Sequence, residues 1–524
     1  MATYPSIFND VIGPVMRGPS SSHCAAAVRI GRMARDLMDG RIERVRLEVD
    51  SGGSLATTHR SQGSDMGLFG GLLGWEAEDE RLVDSERALS LAGIRVDIRI
   101  ADLGDPHPNT YRITLEHGTE SHRLTALSTG GGMVEVTQID GVPLTILGDY
   151  FETLIRVPAQ AEALAARLRA DVPAEEVLVR PGDGVTLVQV KSRALIPEAV
   201  LSAAAGEATI GAVHRIAPVL PILSRRGVEV PFVTADQMLG WNGGAGLDLA
   251  GLAAAYESAR GGIPPAEVTE RMAAIVRILR RSVAQGLAGT RFDDRILGFQ
   301  SGAFKAAAER NALLDAGLLN RMIACVTALM EVKSAMGVIV AAPTAGSCGA
   351  LPGAVIGAAE GLGLPEAEMT RAMLAAGVVG VFISAHATFA AEVCGCQAEC
   401  GAGSGMAAAA LVTLAGGTAR QAVDAAAMAI QNVLGMICDP VANRVEVPCL
   451  GRNVLAAANA LACANMALAG FDAVVPLDEV IETMLRVGRS LPAELRCTAK
   501  GGLSITPTAR RIETRLKSTE RGRT

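Results

Sequence analysis

The chain has 524 residues, enough for two to four domains at about 100 to 200 residues each. Hydrophobic residues make up 49%, charged residues 20% and aromatic residues 3%, so the core is built from Ala, Val, Leu and Met packed around 58 glycines. The net charge of −7 offers no positive footprint, so neither nucleic acid nor an anionic membrane surface is an expected partner.

In chain order, the run Gly18-Pro19-Ser20-Ser21-Ser22-His23 comes first. It precedes a helical spacing of Ala27, Ile30, Ala34, Leu37 and Met38 that stops at Gly40. Serine caps helix starts, and hydroxyls beside free N–H groups suit a carboxylate or phosphate. Three serines and a histidine exceed what capping needs. Period-two alternation predicts strands at 45–49, 96–100 and 111–115. The 52–65 loop carries His59, Arg60, Gln62 and Asp65, the turn 105–109 holds His107 and Asn109, and 128–132 is glycine-rich. Each of these could line a site, and each is also plain turn chemistry. Residues 1–145 therefore read as an α/β (α+β) domain.

Residues 146–222 repeat the theme on a smaller scale. Strands at 152–157, 177–180, 185–190 and 213–216 with helices at 160–170 and 197–205 give βαββαβ, the order of a ferredoxin-like or small regulatory domain. From residue 234 onward, long Ala-rich runs of helical period are broken by Gly and Pro loops. They predict an all-α domain over 223–524, its helices enclosed on most faces, with no comparable strand alternation after residue 232. The apolar stretch 372–393 is interrupted by Ser384, His386 and Glu392 and reads as a buried helix rather than a membrane span. The basic tail, Arg510, Arg511, Arg515, Lys517, Arg521 and Arg523, reads as a solvated, partly helical end.

The ten cysteines are unevenly placed: Cys24 alone lies in the first 324 residues, and the rest lie between Cys325 and Cys497. Residues 1–10 show no basic segment followed by an apolar run, which predicts a cytoplasmic protein. There, thiols serve as metal ligands, catalysts or buried apolar groups rather than disulfides. Cys394-Gly395-Cys396 and Cys400 follow an apolar run, and Cys438-Asp439-Pro440 and Pro448-Cys449 bracket a loop. No Cys-x-x-Cys pair occurs, so zinc-ribbon spacing is absent. Thiols beside Gly and Pro turns have the reach an iron–sulfur cluster needs, while buried structural cysteines produce the same spacing. Lys305 reads as an ordinary helix lysine, a substrate-carboxylate contact, or the Schiff-base lysine of a pyridoxal-phosphate lyase.

Taken together and in order, seven segments are recognisable. They are residues 18–23, His107-Pro108-Asn109-Thr110, Gly130-Gly131-Gly132, Ala342-Pro343-Thr344-Ala345-Gly346-Ser347, Gly395-Cys396-Gln397-Ala398-Glu399, Cys438-Asp439-Pro440-Val441-Ala442 and Val445-Glu446-Val447-Pro448-Cys449. Over nearly the whole chain they resemble the iron–sulfur-dependent L-serine dehydratases (L-serine ammonia-lyases). The resemblance implies a β-type domain, an ACT-like middle domain and an α-type catalytic domain fused into one polypeptide. It implies that Cys396, Cys438 and Cys449 hold a [4Fe–4S] cluster whose open iron is a Lewis acid toward the substrate's carboxylate and β-hydroxyl. A base then removes the Cα proton, so that L-serine or a close β-hydroxy acid gives pyruvate, or the corresponding oxo acid, and ammonia. Ser20, Ser21, Ser22 and His23 would hold the carboxylate or leaving region, Thr344 and Ser347 would close the other side, and Asp65, His107 and Asn109 would be further substrate contacts.

Two positions depart from the family pattern. Gln62 stands where relatives carry a histidine suited to acid–base work, which makes His59 in the same loop the candidate base. His386 stands where relatives tend to have Asn and is a second catalytic candidate beside His23. Cys394 and Cys400 are additional thiols. A small-molecule substrate and a homo-oligomer are implied. The rival from another class is a non-catalytic amino-acid sensor built on the same ACT-like domain.

Overall fold

The computed structural model describes residues 4–18, 20–60, 62–206 and 210–521. Pro19 of the serine-rich run, Ser61 of the 52–65 loop and Arg523 of the basic tail lie outside the described residues. The chain divides into two compact units, Ser20–Gly227, and Met1–Pro19 with Val228–Thr524.

In the first unit, Val45, Leu47 and Val49 of strand Arg44–Asp50 are buried while their neighbours are not. This is the period of two that a sheet covered on one face imposes. From edge to edge the sheet runs Arg95–Ala101, Arg44–Asp50, Thr110–His117, Glu120–Gly130, Met133–Ile139 and Val142–Ile146. Its first pair is parallel and the others are antiparallel. The last three strands were not foreseen. Register shifts at Thr125/Ala126, Ser128/Gly130 and Val136/Gln138 interrupt the alternation that marks a strand in sequence.

Helix Ala26–Leu37 packs on helix Ser64–Leu72 through glycines. A Cβ at Gly31 would stand 2.5 Å from the Leu68 carbonyl oxygen, one at Gly67 2.3 Å from that of Cys24, and one at Gly71 2.2 Å from that of Val28. The backbones thus meet more closely than any side chain permits. That contact sets the serine-rich run beside the 52–65 loop.

The remainder of this unit follows the order strand Phe151–Val157, helix Ala161–Asp171, strands Ala174–Gly182 and Val185–Ser192, helix Glu198–Ala205 and strand Val213–Ile216. All six elements fall at their expected places. The strands pair antiparallel in the spatial order Val213–Ile216, Phe151–Val157, Val185–Ser192, Ala174–Gly182. Ile155, Val188 and Val190 meet Leu164 and Leu168 of the first helix in an apolar core. By alternation the opposite face carries Glu152, Gln189 and Lys191, which are buried and joined, with Lys191 2.8 Å and Gln189 3.0 Å from Glu152.

In the second unit, helix Cys400–Leu414 is buried along its whole length. Helices Ala350–Leu362, Glu366–His386, Ala419–Gln431 and Cys449–Leu468 lean on it. Its Gly and Ala residues make this possible; a Cβ at Gly405 would lie 2.7 Å from the Ile430 side chain. A core of this kind explains the scarcity of aromatic residues. Helix Glu366–His386 is long and apolar enough to cross a membrane by length and composition, but most of it is buried among these helices.

Residues 4–18, which the sequence placed with the α/β domain, belong to the helical unit. Strand Val15–Arg17 pairs antiparallel with Val338–Val340, a short strand in the half expected to be helical throughout. Ile7 and Val11 fill notches left by Gly377 and Gly380 on helix Glu366–His386. The buried carboxylate of Glu257 accepts the Ser6 hydroxyl at 2.5 Å and the Ile7 N–H at 2.7 Å. These contacts span some 250 positions, and local periodicity carries no sign of them.

Candidate functional site

In the α/β unit, loops gather at the ends of the strands. The carboxylate of Asp50, at the end of its strand, accepts N–H groups from Gly52 at 2.7 Å, Leu103 at 2.9 Å and Asp105 at 3.0 Å. The Ser54 N–H bonds the Pro108 carbonyl at 2.9 Å, tying the His107–Asn109 turn to the 52–65 loop. The Ser128 hydroxyl donates to the Ser22 carbonyl at 2.7 Å, and its N–H donates to the Asn109 carbonyl at 3.0 Å. Ser20, Ser22, His23, His59, Asp65, His107 and Asn109 are therefore brought to one end of the sheet.

The serine-rich run does not cap the helix, the simpler of its two readings. A turn at Ser21–Ala25 precedes the helix, and the Ser20 hydroxyl makes no capping bond. It lies 2.9 Å from His23 Nδ1 instead. His23 Nε2 lies 2.9 Å from the Thr58 hydroxyl, whose own proton goes to the Ser54 carbonyl at 2.7 Å. Thr58 can then only accept, so Nε2 carries the imidazole proton and Nδ1 accepts from Ser20. Burial pushes His23 down to about 4, which keeps it neutral at pH 7.

His59 directs Nδ1 at both oxygens of Asp65, 2.8 Å from each, and Arg60 stands 3.8 Å from the same carboxylate. Gly63, in the left-handed region at φ +84°, turns the chain so that Asp65 enters the helix facing back toward His59. His107 Nδ1 accepts the Asn109 N–H at 3.2 Å and so serves the turn itself. Asn109 Oδ1 is buried without a hydrogen-bond partner, an acceptor left open at the site.

In the helical unit, the thiols of Cys396, Cys400 and Cys438 share one buried cluster with Cys497 packed against it. Cys449 is buried and close enough to Cys396 for their charges to interact. The loops are stitched together. Gly395, at φ +71°, leads into Cys396, and a Cβ there would meet the Met436 carbonyl oxygen at 2.7 Å. Gln397 takes the Gly435 N–H at 2.9 Å. Cys438 exchanges backbone bonds of 2.8 Å with Leu495 and Cys497. Arg452 holds Asp439 at 2.6 Å.

The buried side chain of Asn453 satisfies both its ends: it donates to the carbonyls of Cys449 and Gly346 at 2.8 and 2.9 Å, and accepts from the N–H groups of Ala350 and Gly349 at 2.8 and 3.1 Å. It thus joins the Cys449 helix to the 344–350 segment. Thr344 and Ser347 cap each other across that turn, and the Thr344 hydroxyl donates to Glu399 at 2.7 Å. Their hydroxyls, expected on substrate, bond each other and Glu399 here. Burial pushes Glu399 up to about 7, against the pull of Thr344 and the positive charges of Lys333 and Arg452.

Burial also pushes the Cys449 thiol up. Contact with Cys497, and then burial, do the same at Cys438, and contact with Cys396, and then burial, at Cys400. The two additional thiols part company. Cys400 belongs to the cluster of sulfurs, whereas Cys394 faces helix Leu477–Ser490, with Sγ 3.2 Å from the Met484 carbonyl. Among the described residues no three His, Cys, Asp or Glu side chains are grouped about a single ion.

His386 is exposed at its helix end, with Nε2 3.0 Å from the Val233 carbonyl. Lys305 is half-exposed and 3.8 Å from Glu309 one helical turn away, the place of an ordinary helix lysine. Sequence reasoning passed over Thr58, Lys333, Arg452, Asn453 and Cys497. Arg452 and Asn453 follow Cys449 by three and four positions, one helical turn, and that spacing was the available signal.

The family described as "Serine dehydratase alpha chain" matches residues 190–504. The chain is 39% identical over 250 residues to the "Probable L-serine dehydratase, alpha chain" of Bacillus subtilis (strain 168), which covers 48% of this chain and 83% of that protein. It is 42% identical over 152 residues to the "Probable L-serine dehydratase, beta chain" of the same organism, covering 29% and 68%. To the "L-serine dehydratase" of Streptomyces coelicolor it is 28% identical over 499 residues, covering 93% and 96%.

Proposed function

The chain belongs to the L-serine dehydratase family, with a beta-type and an alpha-type region in one polypeptide, and from that membership we propose that it converts L-serine to pyruvate and ammonia. The observation that supports this reading is the company of Cys396 and Cys438 in one buried cluster, with buried Cys449 close enough to Cys396 for their charges to interact. Three soft sulfur donors, with no imidazole among them, fit an iron–sulfur cluster. We assign these three thiols to a [4Fe–4S] cluster. When bound, it would supply a Lewis-acidic iron for the substrate's oxygen atoms.

The proton-handling groups lie in the α/β unit. Asp65 holds His59 with its Nδ1 proton directed inward, so that Nε2 presents a lone pair suited to taking the Cα proton. His23, kept neutral, accepts from the Ser20 hydroxyl and orients its oxygen toward donors of the substrate. Ser21 and Ser22 belong to the carboxylate-binding turn, and the open Asn109 Oδ1 suits the substrate's ammonium. The βαββαβ module is assigned an ACT-like role.

Anaerobically purified protein tests this reading through its iron and sulfide content and the pyruvate it forms from L-serine. Cys438→Ser should lose cluster and turnover together, and Cys325→Ser neither. Protein that carries zinc or no metal and leaves serine intact would instead be the amino-acid sensor.

A further inference from the structure

Lys333 lies in the last turn of helix Leu318–Ser334, wholly shut off from solvent. That helix packs against the one that Cys449 begins. The ammonium donates to the Val445 carbonyl, in the loop that delivers Cys449. Among the described residues no carboxylate lies at ion-pairing distance from it. The neighbouring acids take their hydrogen bonds from other groups, although Glu446 also feels the positive charge of Lys333. Glu331 accepts the N–H groups of Gln300 and Ser301 at 2.9 Å and the Ser301 hydroxyl at 2.7 Å, and Glu446 accepts those of Ile296 and Leu297 at 2.9 Å. The partly buried cation nearby, Arg452, is spoken for by Asp439.

Among the described residues Lys333 is thus a buried positive charge without an ion-paired carboxylate, within electrostatic reach of Cys449, Cys348, Glu399 and Glu446. A buried ammonium is unfavourable unless negative charge faces it, and a buried thiol resists ionisation unless positive charge faces it. Each requirement is met by the other once the sulfurs are ionised as ligands.

We propose that Lys333 is the countercharge of the thiol site, a positioning residue that offsets the negative charge which ligation brings to Cys449 and its neighbours. This rests on the assignment of Cys396, Cys438 and Cys449 to a cluster. Removing the positive charge makes an added electron less favourable, so the cluster's midpoint potential moves to more negative values, and the ligands hold it less well.

The test compares full-length wild type, Lys333→Met and Lys333→Arg, purified anaerobically. Iron and sulfide per chain, the midpoint potential from a redox titration followed by visible absorbance, and the rate of iron loss to a chelator are read beside circular dichroism. Lys333→Met should keep the fold, shift the potential negative and lose iron several-fold faster, and Lys333→Arg should restore both properties. Should the methionine variant fail to fold, Lys333→Gln, which keeps a donor for Val445 without the charge, takes its place and must show the same shift. An uncharged variant with wild-type potential and iron-loss rate overturns the proposal, as does one in which only the KM for L-serine rises. Wild type that binds no iron or sulfide overturns the cluster reading itself, and this proposal with it, whereas loaded wild type with an unchanged variant overturns this proposal alone.

Discussion

His59 gives Nδ1 to both oxygens of Asp65, 2.8 Å from each, and its Nε2 makes no hydrogen bond among the described residues. A carboxylate in that position fixes both tautomer and ring orientation and stabilises the imidazolium formed when a proton is taken up. Asp65→Asn should therefore lower kcat by roughly 10²- to 10⁴-fold, the range of a general-base contribution, with little change in KM. Steady-state pyruvate formation checks this. A change confined to KM would make Asp65 a binding residue instead.

His23 makes stability depend on pH in a defined direction. Its folded value is lowered from 6.5 to about 4 by burial, so between those values the unfolded chain binds the proton and the folded chain does not. The stabilisation is complete above pH 6.5, declines as pH falls toward about 4 and is flat below. The full decline amounts to ~3 kcal/mol. Urea unfolding of wild type and His23→Asn from pH 8 to pH 4 should show the gap between them narrowing by an amount of this order. A gap independent of pH would mean that the folded chain binds a proton at His23 as readily as the unfolded chain does.

The helix contact at Gly67 leaves no room for a side chain, since a Cβ would stand 2.3 Å from the Cys24 carbonyl oxygen. Gly67→Ala should cost about 1–3 kcal/mol by overpacking and spread the serine-rich run from the 52–65 loop. Gly240→Ala, in a helix where a Cβ meets nothing within 4 Å, should be neutral or stabilising by up to ~1 kcal/mol. Thermal unfolding of the two variants provides the comparison, and equal midpoints would show that the helices can separate freely.

Asn453 satisfies two carbonyls and two N–H groups from a fully buried position. Truncation to Ala strands the Gly346 carbonyl and the N–H groups of Gly349 and Ala350, while the Cys449 carbonyl keeps its helical bond, and at about 1–3 kcal/mol for each buried group left unpaired the loss should reach ~3 kcal/mol or more. The 344–350 segment would detach from the Cys449 helix. Faster hydrogen exchange at Gly349 and Ala350, with slower regions of the helical unit unchanged, is the expected signature.

Much of this organisation was legible in the chain itself. The alternation at Val45, Leu47 and Val49 and the six elements between residues 151 and 216 are local patterns, because a strand or helix writes its exposed and buried faces into neighbouring positions. The strands after Glu120 escaped because bulges break the period, and the pairing of Val15–Arg17 with Val338–Val340 escaped because its partner lies over 300 positions away. At the site, the cysteine segments and the His59–Asp65 loop were visible as residue types and spacings. Thr344 and Ser347 were visible too, yet their hydroxyls are spent on Glu399 and on each other.

By itself the sequence determined the family, the helical character of the second unit and the βαββαβ order, and it pointed to the thiols of Cys396, Cys438 and Cys449. Each depends on residue type or on short-range period. Tertiary structure alone decided which thiols keep company, placing Cys400 and Cys497 with Cys396 and Cys438 and turning Cys394 away. It also decided that His23 is neutral and that Lys333 stands buried without an ion-pair partner among the described residues. Charge state and pairing depend on burial and on distances between segments far apart in the chain, and those quantities exist only once the chain has closed on itself.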